Sequence, residues 1–315
     1  MRNLSWNLFS FLVPALLSLS ALNALGCVAE QTEDDTEDTL GVAESASHSS
    51  CGQGHILRTT TGFSTPESAY WDADSQSYYV SNIVGTPGVR DGEGFLSKLD
   101  KDGNIVDLHW IDGLDSPLGI RVRQGKLYTT NLDELIVVDI ATKAVTRIPA
   151  PGAVLLNDPV ITGNGTVYVT DVFTNRIYKF ANGVGSIFFE SALLDLPNGL
   201  LLRGNRLIIA STGNIFGPIV PGHLWELDIP SKSLEQIGDF EAKMDGIERD
   251  RGTYLISETG TSLVYRVDDD GDSEIVHDFS QDGLTAINDI GYDPQRRIIS
   301  VPAYLDNSVT FYQIP

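Results

Sequence analysis

Leu196-Pro197-Asn198-Gly199-Leu200-Leu201-Leu202-Arg203-Gly204-Asn205-Arg206-Leu207-Ile208-Ile209-Ala210 carries the phrase that organises the chain. A polar marker, Asn198, precedes an apolar strand. A tight polar turn at 203–206 follows, and a second apolar strand returns at 207–210. The phrase recurs around Glu67, Leu118, Asn157, Asp245 and Asn288, which makes six copies. Their spacing of roughly 40 to 50 residues is the period of a four-stranded propeller blade. Segments 95–99, 135–138, 176–180, 223–227 and 263–267 alternate loosely with period two and lead into turns, as third strands should.

The pattern predicts an all-β fold over residues 54–315, a six-bladed β-propeller of four-stranded antiparallel blades. The run His55-Ile56-Leu57-Arg58-Thr59-Thr60 lies before the first marker. It is expected to close the ring as the outer strand of the last blade, which also removes an open sheet edge.

Residues 1–26 read as a signal peptide. Arg2 is their only charge, 8–22 form an apolar run, and small residues precede Cys27. Ala24-Leu25-Gly26-Cys27 resembles a bacterial lipoprotein signal, with Cys27 as the lipidated residue. An ordinary secretory signal is the other reading. The expected location is a bacterial outer membrane or cell surface, otherwise periplasmic or secreted. Any membrane contact is expected only through a lipid anchor at Cys27. Residues 27–53 hold seven acidic side chains and no Lys or Arg, which predicts a disordered acidic tether.

The formal net charge is −22. The acidic residues spread well beyond the tether, and a surface of this sign repels nucleic acid. No glycine-rich phosphate loop is present. The two cysteines, Cys27 and Cys51, both precede the propeller. Disulfides and cysteine-type zinc sites are thereby excluded from it.

Each marker stands just before an innermost strand, so all six are expected at one mouth of the central channel. Glu67, Asn157, Asn198 and Asp245 supply two carboxylates and two amide oxygens. This hard-oxygen set suits calcium or another hard divalent cation. Asp158 and Asn288-Asp289 would add oxygens or hold the ligands. The competing reading is that Asn-Gly and Asp-Gly are turn dipeptides capping inner strands. Separate polar turns follow each strand, however, and a turn explanation does not require Asn or Asp at both ends.

Over residues 60–315 the chain resembles the gluconolactonase/regucalcin superfamily of calcium-dependent six-bladed propellers, paraoxonase-like branches included. The resemblance rests on Glu67 in Pro-Glu-Ser-Ala-Tyr-Trp-Asp, Asn157-Asp158, Asn198-Gly199 and Asp245-Gly246, in that order. It implies one metal on Glu67, Asn157, Asn198 and Asp245, with Asp245 as catalytic base or nucleophile. Two positions depart from it. Leu155 stands where the sugar-lactone branch carries Arg, and Leu118 where the arylesterase branch carries His.

Further substrate-facing candidates are Asp158, Leu118, Leu155, Asn288, His223 and Phe216. His223 begins a third strand. Phe216 lies in 212–222, one of two long loops (with 83–94) expected at the marker mouth. The expected function is metal-dependent hydrolysis of a small-molecule lactone, ester or phosphoester. The alternative is a non-catalytic, surface-tethered propeller that binds a protein partner.

Overall fold

A computed structural model describes residues 54–215 and 218–315. The expectations for 1–26, 27–53, Cys27 and Phe216 fall outside the described residues.

Six sheets form six blades in chain order. Blade 1 comprises Pro66–Asp72, Ser77–Asn82, Gly94–Asp100 and Ile105–Leu114. Blade 2 comprises Pro117–Arg123, Lys126–Asn131, Glu134–Asp139 and Val145–Pro149. Blade 3 comprises Leu156–Ile161, Val167–Asp171, Arg176–Ala181 and Val184–Glu190. Blade 4 comprises Pro197–Arg203, Arg206–Ser211, Val220–Asp228 and Leu234–Ala242, with a short extra pairing at Gly213–Asn214. Blade 5 comprises Met244–Asp250, Thr253–Glu258, Leu263–Val267 and Ser273–Asp278. Blade 6 comprises Gly291–Asp293, Ile298–Ala303 and Ser308–Gln313, completed by His55–Thr61 from the start of the domain. The expected ring closure is therefore present.

Local chemistry explains the hairpins. Gln124 and Gly125 form the two-residue link between the first strands of blade 2, with φ of 51° and 71°. Paired positive φ values match the right-handed twist of the strands they join. Period-two alternation then sends apolar side chains into the spaces between blades. Among the described residues, each neighbouring pair of blades shares a core cluster. Ile120, Leu127 and Ile136 of blade 2, for example, pack with Tyr79 and Leu96 of blade 1. Leu200, Leu207 and Leu227 of blade 4 pack with Val160 and Ile177 of blade 3. Each such side chain stabilises by about 1.5–3 kcal/mol on leaving water.

The inner strands pack side by side around the channel. Each of the first five carries a register shift at the same phase, after Pro66, Pro117, Leu156, Pro197 and Met244. The markers occupy this bulge. A bulge frees backbone groups from the ladder, and they need other partners. Hydroxyls on the second strands supply them. Thr170 accepts from the Asp158 N–H at 3.0 Å and donates to the Asn198 carbonyl at 2.7 Å. Ser257 accepts from Gly246 N–H at 2.9 Å and donates to the Asn288 carbonyl at 2.8 Å. Thr130 and Thr212 likewise reach the Asn157 and Met244 carbonyls. Blades 2 to 5 are thus each stitched to the next blade.

Candidate functional site

The loops leading into the bulges are held by polar residues that end the second strands. Asn131 Oδ1 accepts from the Asp115 and Ser116 N–H groups, and the Asp171 carboxylate from those of Val154 and Leu155. Each marker is therefore delivered to the channel mouth by its own blade.

Glu67, Asn157 and Asp245 are buried and Asn198 is half-buried. Asn198 hydrogen-bonds Asp245 and donates to Thr212 Oγ1 at 3.3 Å. Its own oxygen, Asn198 Oδ1, is buried without a hydrogen-bond partner. The same holds for Glu67 Oε2 and Asn157 Oδ1. A buried oxygen without a donor costs about 1–3 kcal/mol, and these three, from the inner strands of blades 1, 3 and 4, are of the kind a hard cation takes. Among the described residues, no group of three or more His, Cys, Asp or Glu side chains is arranged to hold a metal ion. The set here combines two carboxylates with two amides.

Electrostatics agree with that reading of the geometry. Burial, then Asp245, Asp289 and Asp158, pushes Glu67 well above the usual carboxylate range. Burial and Asp289 push Asp245 up to about 8, against the Asn198 hydrogen bond. Several buried carboxylates lie close together, where desolvation and like charges disfavour ionisation.

One residue past the marker, Asp158 and Asp289 point deeper. Both are almost wholly buried. Each lies over a glycine of the preceding blade. A Cβ on Gly119 would stand 2.0 Å from Asp158 Oδ1, and one on Gly246 would stand 2.5 Å from Asp289 Oδ1. Asp158 Oδ2 accepts from Leu200 N–H at 3.2 Å, and Asp289 Oδ2 from Ser68 Oγ at 2.6 Å.

Further along the inner strand of blade 2 sits Arg121, buried beside Asp158, Asp289 and Glu248. Sequence reasoning missed both Glu248 and Arg121. Burial opposes its charge, yet Glu248, Asp289 and Asp158 together raise its pKa. The only available signal was its position, three residues after a marker on an inner strand, where alternation points inward.

Leu118 and Leu155 join Ile83 and Leu132 in an apolar cluster, with Phe173 and Tyr304 packed on it. Tyr304 donates to the Gly85 carbonyl at 2.9 Å, and burial with the charge of Glu67 raises its hydroxyl pKa. The mouth therefore has an apolar wall. Asn288 is half-buried, and in its satisfied orientation its amide donates to the Ala286 and Ile287 carbonyls. His223 lies between outer strands, with Nδ1 3.8 Å from Glu241 and its ring 5.9 Å from that of Trp225. Both long loops join second to third strands at the marker end. Arg90, in the first, pairs with Asp133 at 2.7 Å.

No protein-family model matches the chain, and no curated protein matches it. Solved structures do. A catalytically inactive virginiamycin B lyase from Staphylococcus aureus, solved with quinupristin, is similar at 12% identity and TM-score 0.56, over 84% of this chain and 100% of that one. A chain of a nidogen/laminin complex is similar at 17% identity and TM-score 0.57, over 72% and 84%. A streptogramin B lyase is similar at 11% identity and TM-score 0.55, over 83% and 97%. At these identities the likeness establishes the fold, and the fold is a six-bladed propeller.

Proposed function

We propose that this chain is a cation-dependent hydrolase of the gluconolactonase-like type, acting on a lactone, ester or phosphoester. The observation that carries the proposal is the trio of partnerless buried oxygens, Glu67 Oε2, Asn157 Oδ1 and Asn198 Oδ1, beside Asp245. Glu67, Asn157, Asn198 and Asp245 would hold calcium or another hard divalent ion. Such an ion, when bound, polarises a carbonyl or phosphoryl oxygen. Asp245 is the residue to take a proton from water or to attack directly, and Asn198 orients it through their hydrogen bond. Leu118, Leu155 and Tyr304 would seat the apolar part of the substrate and exclude water from it. Export and a lipid anchor at Cys27 belong to the same proposal and rest on the sequence of residues 1–27.

The test is calcium titration of the purified protein, thermal unfolding with and without chelator, and a panel of lactones, esters and phosphoesters. A hundredfold excess over Kd should raise stability by about 2.7 kcal/mol. Turnover that is lost in Glu67→Gln and Asp245→Asn supports the assignment. Calcium binding and turnover that survive in both variants would overturn it.

A second reading has its own support. Leu118 and Leu155 are buried in an apolar cluster that closes part of the mouth. A non-catalytic binding module would be stabilised by calcium yet turn over nothing in the panel.

A further inference from the structure

The two ends of the propeller differ in charge. Inner strands begin at the marker end and second strands return to it, so the hairpins between them lie at the opposite end. Arg123, Lys126, Arg203, Arg206, Arg296 and Arg297 stand in or beside those hairpins. Among the described residues, the marker end has Arg90, Arg147, Arg176 and Lys243 as its basic side chains. The three arginines are already paired, Arg90 with Asp133, Arg147 with Glu134 and Arg176 with Glu190.

Further carboxylates at this end have no basic partner. Asp171, Glu258 and Asp306 accept hydrogen bonds from neutral donors. Asp91 and Glu93 are exposed in the loop 83–94. Within this rim Glu67 is 4% exposed, and its Oε2 has no hydrogen-bond partner. A bound divalent ion would offset Glu67 and Asp245 and leave the rim negative. A mouth of one sign concentrates ligands of the opposite sign and repels its own. Arg121 bars the other approach. It is buried, stands 5.4 Å from the Tyr70 ring centre of blade 1 and donates to the Ile120 carbonyl of its own blade at 2.8 Å. It also reaches the Leu200 and Ile247 carbonyls of blades 4 and 5, at 3.4 and 3.5 Å. A side chain that meets all these blades crosses the interior of the ring, so a substrate arrives through the acidic mouth.

We propose that the substrate carries a positive charge: a cationic ester or lactone, its apolar part against Leu118 and Leu155 and its ammonium group at the acidic rim. Anionic phosphoesters are repelled. This inference rests on the hydrolase reading above and narrows its substrate class.

The experiment measures kcat/KM with calcium present for three esters that share one leaving group. One carries a trimethylammonium group, one the neutral isostere tert-butyl, and one a carboxylate. At low salt the cationic ester should exceed the neutral one by about tenfold or more, and the carboxylate should be slowest. The three should converge at about 1 M salt, where charges are screened beyond about 3 Å. A neutral ester turned over as well as the cationic one at low salt overturns the inference and leaves the hydrolase reading standing. Two pairs of exposed substitutions locate the effect. Asp91→Lys/Glu93→Lys, at the mouth, should lower the cationic-to-neutral ratio severalfold. Asp74→Lys/Asp102→Lys changes the net charge equally at the opposite end and should leave the ratio near that of the wild type. An equal fall in both pairs assigns the preference to net charge and overturns the role of the mouth. No turnover of any of the three esters overturns the hydrolase reading, and this inference with it.

Discussion

The Ser68 hydroxyl donates to Asp289 Oδ2 at 2.6 Å, which fastens the inner strand of the first blade to that of the last. The Asp289 N–H returns a bond to the Glu67 carbonyl at 3.0 Å. The same contact that closes the ring therefore sets the backbone of a candidate ligand. It also turns Asp289 toward Arg121. Ser68→Ala removes a donor from a buried carboxylate and should destabilise by about 1–3 kcal/mol. Urea unfolding measures this, and an unchanged midpoint would show that Asp289 is held without Ser68.

Gly119 and Gly246 give space to the channel carboxylates. Gly119→Ala would place a Cβ 2.0 Å from Asp158 Oδ1 and 2.9 Å from Asp158 Cα, so backbone must move. Overpacking of this kind costs about 1–3 kcal/mol. Gly252→Ala is the control, because a Cβ there meets nothing within 4 Å. Thermal unfolding should separate the two variants clearly; equal midpoints would refute the tight approach.

Burial pushes Glu248 up to about 7, with Arg121 opposing the shift and Asp289 adding to it. Its unfolded value is about 4.3. The folded state therefore binds the proton more tightly. The contribution of this group is complete below about pH 4.3 and is lost as pH rises through about 7. Measured without metal, the stability of wild type relative to Glu248→Gln should fall across that window. A flat difference would mean that Glu248 is solvated in solution.

Removing residues 55–61 should damage blade 6 more than its length suggests. His55–Thr61 pairs along all of Ser308–Gln313. Thr59 and Thr310 share a hydrogen bond at 2.9 Å, and Thr60 donates to the Gly103 carbonyl of blade 1 at 2.7 Å. Loss of the strand opens a long edge for pairing with other chains. A lower unfolding midpoint and aggregation in light scattering are expected, and a monomer of unchanged midpoint would contradict this.

Leu155→Ala probes the apolar wall. Leu155 is buried at 7% exposure against Ile83, Leu118 and Leu132. Truncation should cost about 2–5 kcal/mol. If the wall seats substrate, KM for apolar esters should rise while that for short-chain esters changes little. Equal changes for both would assign the wall to packing alone.

Much of the architecture follows from local chemistry that any stretch of the chain displays. Period-two alternation, two-residue turns and the repeated marker give six blades, the phase of the inner strands and the role of residues 55–61 as the closing strand. The marker positions are local features too, so Glu67, Asn157, Asn198 and Asp245 were legible as members of one set. Arg121 was not. In sequence it is one of two arginines in the strand Pro117–Arg123, with nothing nearby to show that it is the buried one. Its partners are a tyrosine ring, three carboxylates and backbone carbonyls on other blades, and they meet only when the ring closes. The depth of Asp158 and Asp289, the need for glycine at 119 and 246, and the meeting of Leu132, Leu155 and Tyr304 have the same origin. Hydrogen-bonded strands are specified by neighbouring residues, but the contents of the channel depend on the register of six blades at once. That register is a property of the closed ring.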